Sequence, residues 1–159
     1  MSKKLIWIIV LLLAVTGVVA TIHVLNQPEV ECMVILEGDR EIPVSFRDLG
    51  QTPFSGELTD GKGDVTAHEY TGILLRDLLE SKGIDLAAIT GVTVTSADNY
   101  SVEFTPMEIL STQQVYVAVT VDGEKIDGID PGTDGVQLIV FGDPNSRRCV
   151  RFAQTITVE

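Results

Sequence analysis

The sequence predicts an α+β domain that is mainly β, behind an N-terminal apolar segment. Short runs with alternating apolar and polar residues recur along the chain, which is typical of half-buried strands. Glycine-rich and acidic turns separate these runs, and only two short stretches have helical spacing. Strands therefore dominate, and we expect one domain with two short helices.

The N-terminal segment Leu5–Leu25 contains no Asp, Glu, Lys or Arg. As a helix it would extend about 31 Å, enough to cross the hydrocarbon core of a bilayer. Lys3 and Lys4 precede it, so the positive-inside rule predicts a cytoplasmic tail at 1–4, a single transmembrane anchor and an extracytoplasmic remainder. A cleaved signal peptide is the alternative, because Val18-Val19-Ala20 offers small residues to a peptidase.

The residues after the anchor form a short linker at 26–29 and one domain at 30–159. The first 25 residues contain two lysines and no carboxylates, so the formal net charge of −12 leaves −14 on the rest of the chain. Nucleic acids and anionic membrane surfaces both require clusters of Lys and Arg on the protein. The charge excludes both as partners and is typical of an acidic, soluble surface.

The first half of the domain contains three predicted strands. "CMVIL" and "EIPVSF" are expected to pair around a turn at Glu37-Gly38-Asp39, and "VTAHEYTG" is expected to end at Gly72. The stretch between them, "TPFSGELTDGKGD", is rich in Gly and Pro and is predicted to be a loop.

The best helix of the domain is predicted in "ILLRDLLESKG". Arg76 and Glu80 are four residues apart and are expected to pair on its exposed face, and Gly83 follows as a C-terminal cap. The residues expected on its buried face are Leu74, Leu75, Leu78 and Leu79.

The stretch "SADNYSVEFTPMEIL" combines a hairpin with a helix start. Asp98-Asn99 tolerates the positive φ of a tight turn, and Thr105 to Glu108 form a capping box with Pro106 at the first helical position. Three more strands follow, in "VYVAVTV", "VQLIVF" and "CVRFAQTITV". The residues expected in or beside the core on the second hairpin strand are Tyr100, Val102 and Phe104.

No catalytic residue and no metal site is predicted. One histidine beside one carboxylate, as in His68-Glu69, is more often a surface pair than a metal site. The acidic stretch 122–134 does not have the spacing of a calcium loop. Its carboxylates are Asp122, Glu124, Asp127, Asp130 and Asp134.

Four segments, in this order, resemble one family: "EYTGILLRDLLESKGI", "VTVTSADNYSVEFTPMEIL", "VYVAVTVDGEKI" and "GVQLIVFGDPNSRRCVRFAQTITV". The chain is similar to the molybdopterin-binding oxidoreductase domain of sulfite oxidases and their bacterial relatives. The likeness covers nearly all of residues 30–159. Its most specific parts are Tyr70-Thr71-Gly72 and Ala97 to Ser101, where the family favours Asp-Gly-Tyr and this chain has Asp98-Asn99-Tyr100.

The resemblance implies a sulfite-oxidase fold, but the chain lacks the family's molybdenum-ligating cysteine. In the family this cysteine lies upstream of the Tyr-x-Gly segment, and the equivalent stretch 51–69 contains none. A carboxylate is a poor replacement, because the thiolate sets the electronic properties of the metal. We therefore expect a degenerate member with no cofactor, and molybdopterin is implied by the resemblance alone.

The phosphate-binding part of the family pattern is also altered. Asp122-Gly123 stands where the family has Asn-Gly, and Gly135-Val136-Gln137 stands where it has Pro-x-Arg. A gained carboxylate and a lost guanidinium both oppose a dianionic phosphate. Arg147, Arg148 and Arg151 remain as weak anion-binding candidates, or as surface arginines of a solvated hairpin.

The two cysteines, Cys32 and Cys149, are candidates for a disulfide, which an extracytoplasmic location permits. The resemblance puts both in strands at the two ends of the domain, and chain ends often lie close together. The alternative is a buried free cysteine that packs as a small hydrophobe.

These observations predict a membrane-anchored, extracytoplasmic binding or accessory module that has a protein partner in a redox or envelope system. Two alternatives remain. One is an active molybdopterin-dependent oxidoreductase with a rearranged site, and the other is a small-anion-binding module.

Overall fold

The computed structural model describes residues 30–50 and 52–159. The predicted tail, anchor and linker therefore lie outside the described residues. Within the described residues, no helix is long and apolar enough to cross a bilayer. The strands are β1 (Glu31–Glu37), β2 (Arg40–Ser45), β3 (Thr52–Thr59), β4 (Val65–Leu74), β5 (Val92–Ser96), β6 (Ser101–Phe104), β7 (Val115–Val121), β8 (Glu124–Lys125), β9 (Gln137–Val140) and β10 (Ala153–Val158). The helices are α1 (Leu75–Ser81) and α2 (Pro106–Ser111).

The strands form two sheets, so the mainly β prediction is confirmed. Sheet A has the order β2-β1-β10-β5-β6, in which β1 and β10 run parallel and the other pairs are antiparallel. Sheet B has the order β3-β4-β7-β8, and β9 also pairs with β7. The first strand of the domain thus lies beside the last.

The main core contains side chains from both sheets and from α1. Ile35 and Ile156 of sheet A and Val117 of sheet B are fully buried in it. Along β7, Val115 and Val117 belong to this core, whereas Tyr116 and Ala118 belong to a second cluster. Because side chains alternate between the two faces of a strand, sheet B has an apolar outer face as well as an apolar inner one.

Helix α1 packs as its apolar spacing predicts, with Leu75, Leu78 and Leu79 fully buried. The predicted pairing of Arg76 with Glu80 is wrong: Arg76 Nε lies 3.0 Å from Asp77 Oδ1. The helix begins only at Leu75, because Leu74 completes β4, and Arg76 pairs with its sequence neighbour in the first turn.

The hairpin and capping box are confirmed. Asn99 has a φ of 67°, and the Thr105 and Glu108 side chains each accept a hydrogen bond from the other's backbone N–H. The prediction for Tyr100 is wrong, because its side chain is 46% exposed. The alternation that buries Val102 and Phe104 begins only at Ser101, and Tyr100 belongs to the turn, where its hydroxyl donates to the Arg147 carbonyl.

The prediction of a loop in "TPFSGELTDGKGD" is wrong. Its first eight residues form β3, paired with β4 from Thr52 opposite Gly72 to Thr59 opposite Val65. Within the described residues β3 pairs only with β4, and an edge strand tolerates Pro53. Gly56 also has a packing reason: a Cβ there would lie 2.4 Å from the Phe141 ring.

Candidate functional site: the aromatic face of sheet B

Four aromatic rings cover the outer side of sheet B, which we call the aromatic face. They are Phe54 of β3, Tyr70 of β4, Tyr116 of β7 and Phe141 just after β9. Ile139 precedes Phe141 by two residues and belongs to the same cluster, as the alternation of β9 requires. Strand register therefore gathers rings from four separate parts of the chain.

Phe54 lies at the centre of the aromatic face. Its ring stacks on Tyr116 with 4.0 Å between centroids and on Tyr70 with 5.3 Å. Phe141 meets the other three rings edge-on, at 5.9–6.3 Å. Each such contact contributes about 0.5–1.5 kcal/mol beyond area burial, so the rings hold one another in place.

Two depressions flank Phe54, and both also touch Pro53. The larger, of about 330 Å³, contains Tyr70, Glu69 and Thr120. The smaller, of about 150 Å³, contains Tyr116, Asp77 and Gly72. Glu69 alternates with Tyr70 along β4, so its side chain lies on the opposite face of sheet B from the rings, and only the smaller depression lies on the aromatic face.

A histidine–aspartate pair lies at the edge of this face. His68 Nδ1 is 2.7 Å from Asp122 Oδ2, and the Glu69 backbone N–H donates to Asp122 Oδ1 at 3.0 Å. His68 therefore pairs with a carboxylate across the sheet rather than with its neighbour in sequence. The pKa of Asp122 is lowered, first by the Glu69 backbone N–H and then by His68.

The Tyr70 hydroxyl is held in its neutral form by its surroundings. The pKa of Tyr70 is raised to about 12, first by burial and then by negative charge on Cys149 and Asp122. Burial opposes a charge on this ring, and the nearby Asp122 carboxylate adds to the cost of the phenolate. Among the described residues, no group of three or more His, Cys, Asp or Glu side chains could hold a metal ion.

Two of the three candidate arginines have side-chain contacts of their own. Arg148 Nη1 lies 2.7 Å from Glu108 Oε1 and 3.7 Å from Asp143 Oδ1, and its guanidinium lies 4.5 Å from the centre of the Phe104 ring. Arg151 lies over the ring of Phe152 at 5.4 Å, and Arg147 is exposed. Arg148 therefore anchors α2 to the loop before β10, and its charge is offset by two carboxylates.

The cysteines are free thiols, so the predicted disulfide is not formed in this structure. Cys32 of β1 donates to the Val44 carbonyl at 3.4 Å, whereas the Val140 N–H donates to Cys149 Sγ at 3.3 Å. Cys149 lies in the loop between β9 and β10 rather than in the expected strand, beside sheet B, while Cys32 lies in sheet A. Burial raises the pKa of both thiols, that of Cys32 to about 12.

The residues present do not fit a molybdenum–pterin group. The family resemblance aligns three segments with cofactor contacts, and their described residues (52–69, 122–123 and 135–137) lie in or beside sheet B. They contain Phe54 and several carboxylates, and no thiol. The two thiols lie outside these segments, and each is hydrogen-bonded to the backbone, Cys32 to Val44 and Cys149 to Val140.

Comparisons with known proteins show the fold. No protein-family model and no curated protein matches the chain. Among solved structures, the sulfane dehydrogenase SoxCD from Paracoccus pantotrophus is similar, with a TM-score of 0.62 and 16% identity. The match covers 79% of this chain but only 37% of that chain, so the likeness concerns the domain's fold.

Sequence patterns alone did not reveal the aromatic face. Three of the rings lie in or at the end of a predicted strand, and the alternation of each strand indicates the face on which its ring lies. These rings are Tyr70, Tyr116 and Phe141. The central ring, Phe54, lies in the segment that was expected to be a loop. Because β3 is not predicted from the sequence, the four rings cannot be placed on one surface without the structure.

Proposed function

We propose that this chain is a membrane-anchored, extracytoplasmic domain with a sulfite-oxidase-like fold that acts as a binding or accessory module and performs no molybdenum catalysis. The partner would be a protein of a redox or envelope system. The anchor in this proposal comes from the sequence pattern, and the fold is supported by the likeness to SoxCD.

One observation carries the proposal. One of the stretches that the resemblance aligns with cofactor contacts supplies Phe54 to the aromatic face, and Asp77 and Asp122 lie beside that face. Such a surface repels a dianionic phosphate and offers no thiolate. Aromatic rings with polar surroundings are instead enriched where proteins bind other proteins.

Metal and pterin analysis tests this function. The full chain, made in a host that produces molybdenum cofactor, is expected to contain substoichiometric molybdenum and no pterin fluorescence after oxidative extraction. An authentic sulfite-oxidase-type enzyme purified from the same host is the control for loading. One molybdenum per chain with matching pterin would establish the rival, an active oxidoreductase with a rearranged site, which the fold likeness favours.

The small-anion module, the second alternative, rests on Arg147, Arg148 and Arg151, of which Arg147 and Arg151 are exposed. Because Arg148 already has Glu108 and Asp143 as partners, we expect no specific anion site there. Thermal unfolding with millimolar phosphate, sulfate or a pterin phosphate should match unfolding in chloride of equal ionic strength. A concentration-dependent rise in Tm that Arg147→Ala and Arg151→Ala abolish would support the anion module instead.

A further inference from the structure

We propose that a cavity at the end of sheet A where the chain enters the domain takes up an acyl chain of a lipid from the surrounding membrane. We call it the entry cavity, and its apolar lining includes Val30, Phe46, Ala97, Ile129, Val136 and Phe152. This inference rests on the proposed function, because it needs the membrane anchor, and it assigns a ligand class to a site outside the aromatic face.

The entry cavity is built where several strands of sheet A begin or end. Strands β1 and β10 run parallel and both begin beside it, and the segments after β2 and β5 supply Phe46 and Ala97. The loop before β9 adds Ile129 and Val136. The cavity has a volume of about 470 Å³, which is within the usual range for sites that bind small molecules.

The apolar lining of the entry cavity runs from the core to the surface. Val136 and Ala153 line it as buried members of the main core. Val30 and Ile129 also line it, although they are 69% and 55% exposed. A hydrocarbon chain in the cavity would remove this surface from water, which is favourable for each CH₂ group buried.

Phe152 lines the entry cavity with a strained backbone. Its φ of 53° lies in the left-handed region, which a bulky side chain rarely adopts, and the Ala97 N–H donates to its carbonyl at 2.9 Å. Such residues persist where the surrounding structure holds them, and they cluster at ligand-binding sites. The strain therefore indicates a binding site independently of the apolar lining.

The proposed anchor brings the membrane to the entry cavity. Val30 lines the cavity, and the anchor is predicted to end at Leu25. The chain between these two residues spans at most about 18 Å. An acyl chain covers half of the roughly 30 Å hydrocarbon core, or about 15 Å. A lipid with its headgroup at the membrane surface can therefore place one chain in the cavity.

Photo-crosslinking of the full chain in phosphatidylcholine vesicles tests the proposal. This lipid has no net charge, which suits a cavity whose charged lining residues, Glu31 and Asp134, are both acids. One probe lipid carries a diazirine on the last carbon of an acyl chain, and a second carries it on the headgroup. Chain ends in a bilayer lie near the middle of the hydrocarbon core. We expect the chain-end probe to label the anchor and, in the domain, peptides that contain Ile129 or Phe152.

Two matched double variants decide the location. V30D/I129D places carboxylates on the two exposed apolar residues of the entry cavity. V65D/M107D places the same charge on residues of similar exposure, 57% and 72%, that do not line it. We expect the first to lower labelling of the domain by the chain-end probe, relative to the anchor, about tenfold and the second to have little effect. Circular dichroism checks that both variants are folded.

Three results would overturn the proposal. These are a domain that the chain-end probe leaves unlabelled, equal loss of labelling in the two double variants, and labelling of the domain by the headgroup probe alone. The last would show that the domain only rests on the bilayer surface. A labelled anchor with an unlabelled cavity refutes this inference alone. A mature chain that begins at Thr21 and is not retained in the vesicles refutes the anchoring in the proposed function.

Discussion

Gly72 is the residue at which sheet B leaves no space for a side chain. A Cβ there would lie 2.0 Å from the Val117 carbonyl oxygen and 2.9 Å from the Ala118 Cα, both backbone atoms of β7. Backbone atoms in a central strand pair cannot move without loss of pairing. The glycine of the Tyr-Thr-Gly segment therefore has a packing role as well as its place in the family resemblance.

We predict that Gly72→Ala destabilises the domain by about 1–3 kcal/mol, the usual range for overpacking. The midpoint of urea unfolding measures the change. Gly61→Ala is the matched control, because a Cβ at Gly61 would have nothing within 4 Å and should cost little. Equal midpoints for the two variants would contradict the packing role.

The two thiols should behave as buried, neutral groups. Burial raises the pKa of Cys32 from 9.0 to about 12, above its value in the unfolded chain. The stability that comes from the neutral thiol is therefore complete below pH 9 and is lost as the pH rises from 9 towards 12. Cys32→Ala should show a smaller alkaline loss of stability than the unmodified protein, measured by urea unfolding at several pH values.

Intact mass and alkylation of the two cysteines test for a disulfide between them. Without a bridge, intact mass is unchanged by reductant, and both cysteines alkylate after denaturation but only slowly before it. A mass increase of two hydrogens on reduction would show that Cys32 and Cys149 do pair. The bonds of Cys32 to Val44 and of Cys149 to Val140 would then have to break.

At the scale of elements, α2 depends on its capping box and on Arg148. Thr105 and Glu108 satisfy each other's backbone N–H, and Glu108 also pairs with Arg148 at 2.7 Å. The pKa of Glu108 is lowered, first by the hydrogen bond from the Thr105 backbone and despite partial burial. The stability that ionised Glu108 contributes is present above the pKa that this group has in the unfolded chain. It is lost as the pH falls through the lower pKa that Glu108 has in the folded protein.

We predict that Thr105→Ala lowers the free energy of unfolding by about 1 kcal/mol at neutral pH, the usual cost of losing an N-cap side chain. Thr105→Ser keeps the hydroxyl and should retain most of the stability. Urea unfolding of the two variants measures the difference. Equal losses of stability in the two variants would show that the Thr105 methyl group, rather than its capping hydroxyl, stabilises the domain.

At the scale of the whole molecule, the N-terminal apolar segment and the acidic domain predict a protein held at a membrane surface. We expect the full chain in its native membranes to resist extraction by alkaline carbonate and to keep its N-terminus. Replacement of Val15 and Val19 by lysine should release it, because charges in a membrane span are costly. A mature N-terminus at Thr21 in secreted material would show a cleaved signal peptide instead.

Local patterns predicted the elements whose stabilising contacts lie within a few residues. The α1 leucines, the Asn99 turn and the α2 capping box need only their own neighbours, so spacing and residue type are enough. The mainly β class followed as well, because alternation depends on one face of each strand being buried.

Only the tertiary structure decided the features that depend on distant segments. Strand β3 exists because β4 supplies its hydrogen bonds, against the local preference of Pro53 and Gly56 for a loop. The two cysteines stay apart because the chain puts them beside different sheets. The aromatic face needs four strands in register, and register is set by pairing between segments far apart in the sequence. The sequence by itself therefore determined which residues can form strands and helices, and long-range pairing decided which rings and charges meet on the surface.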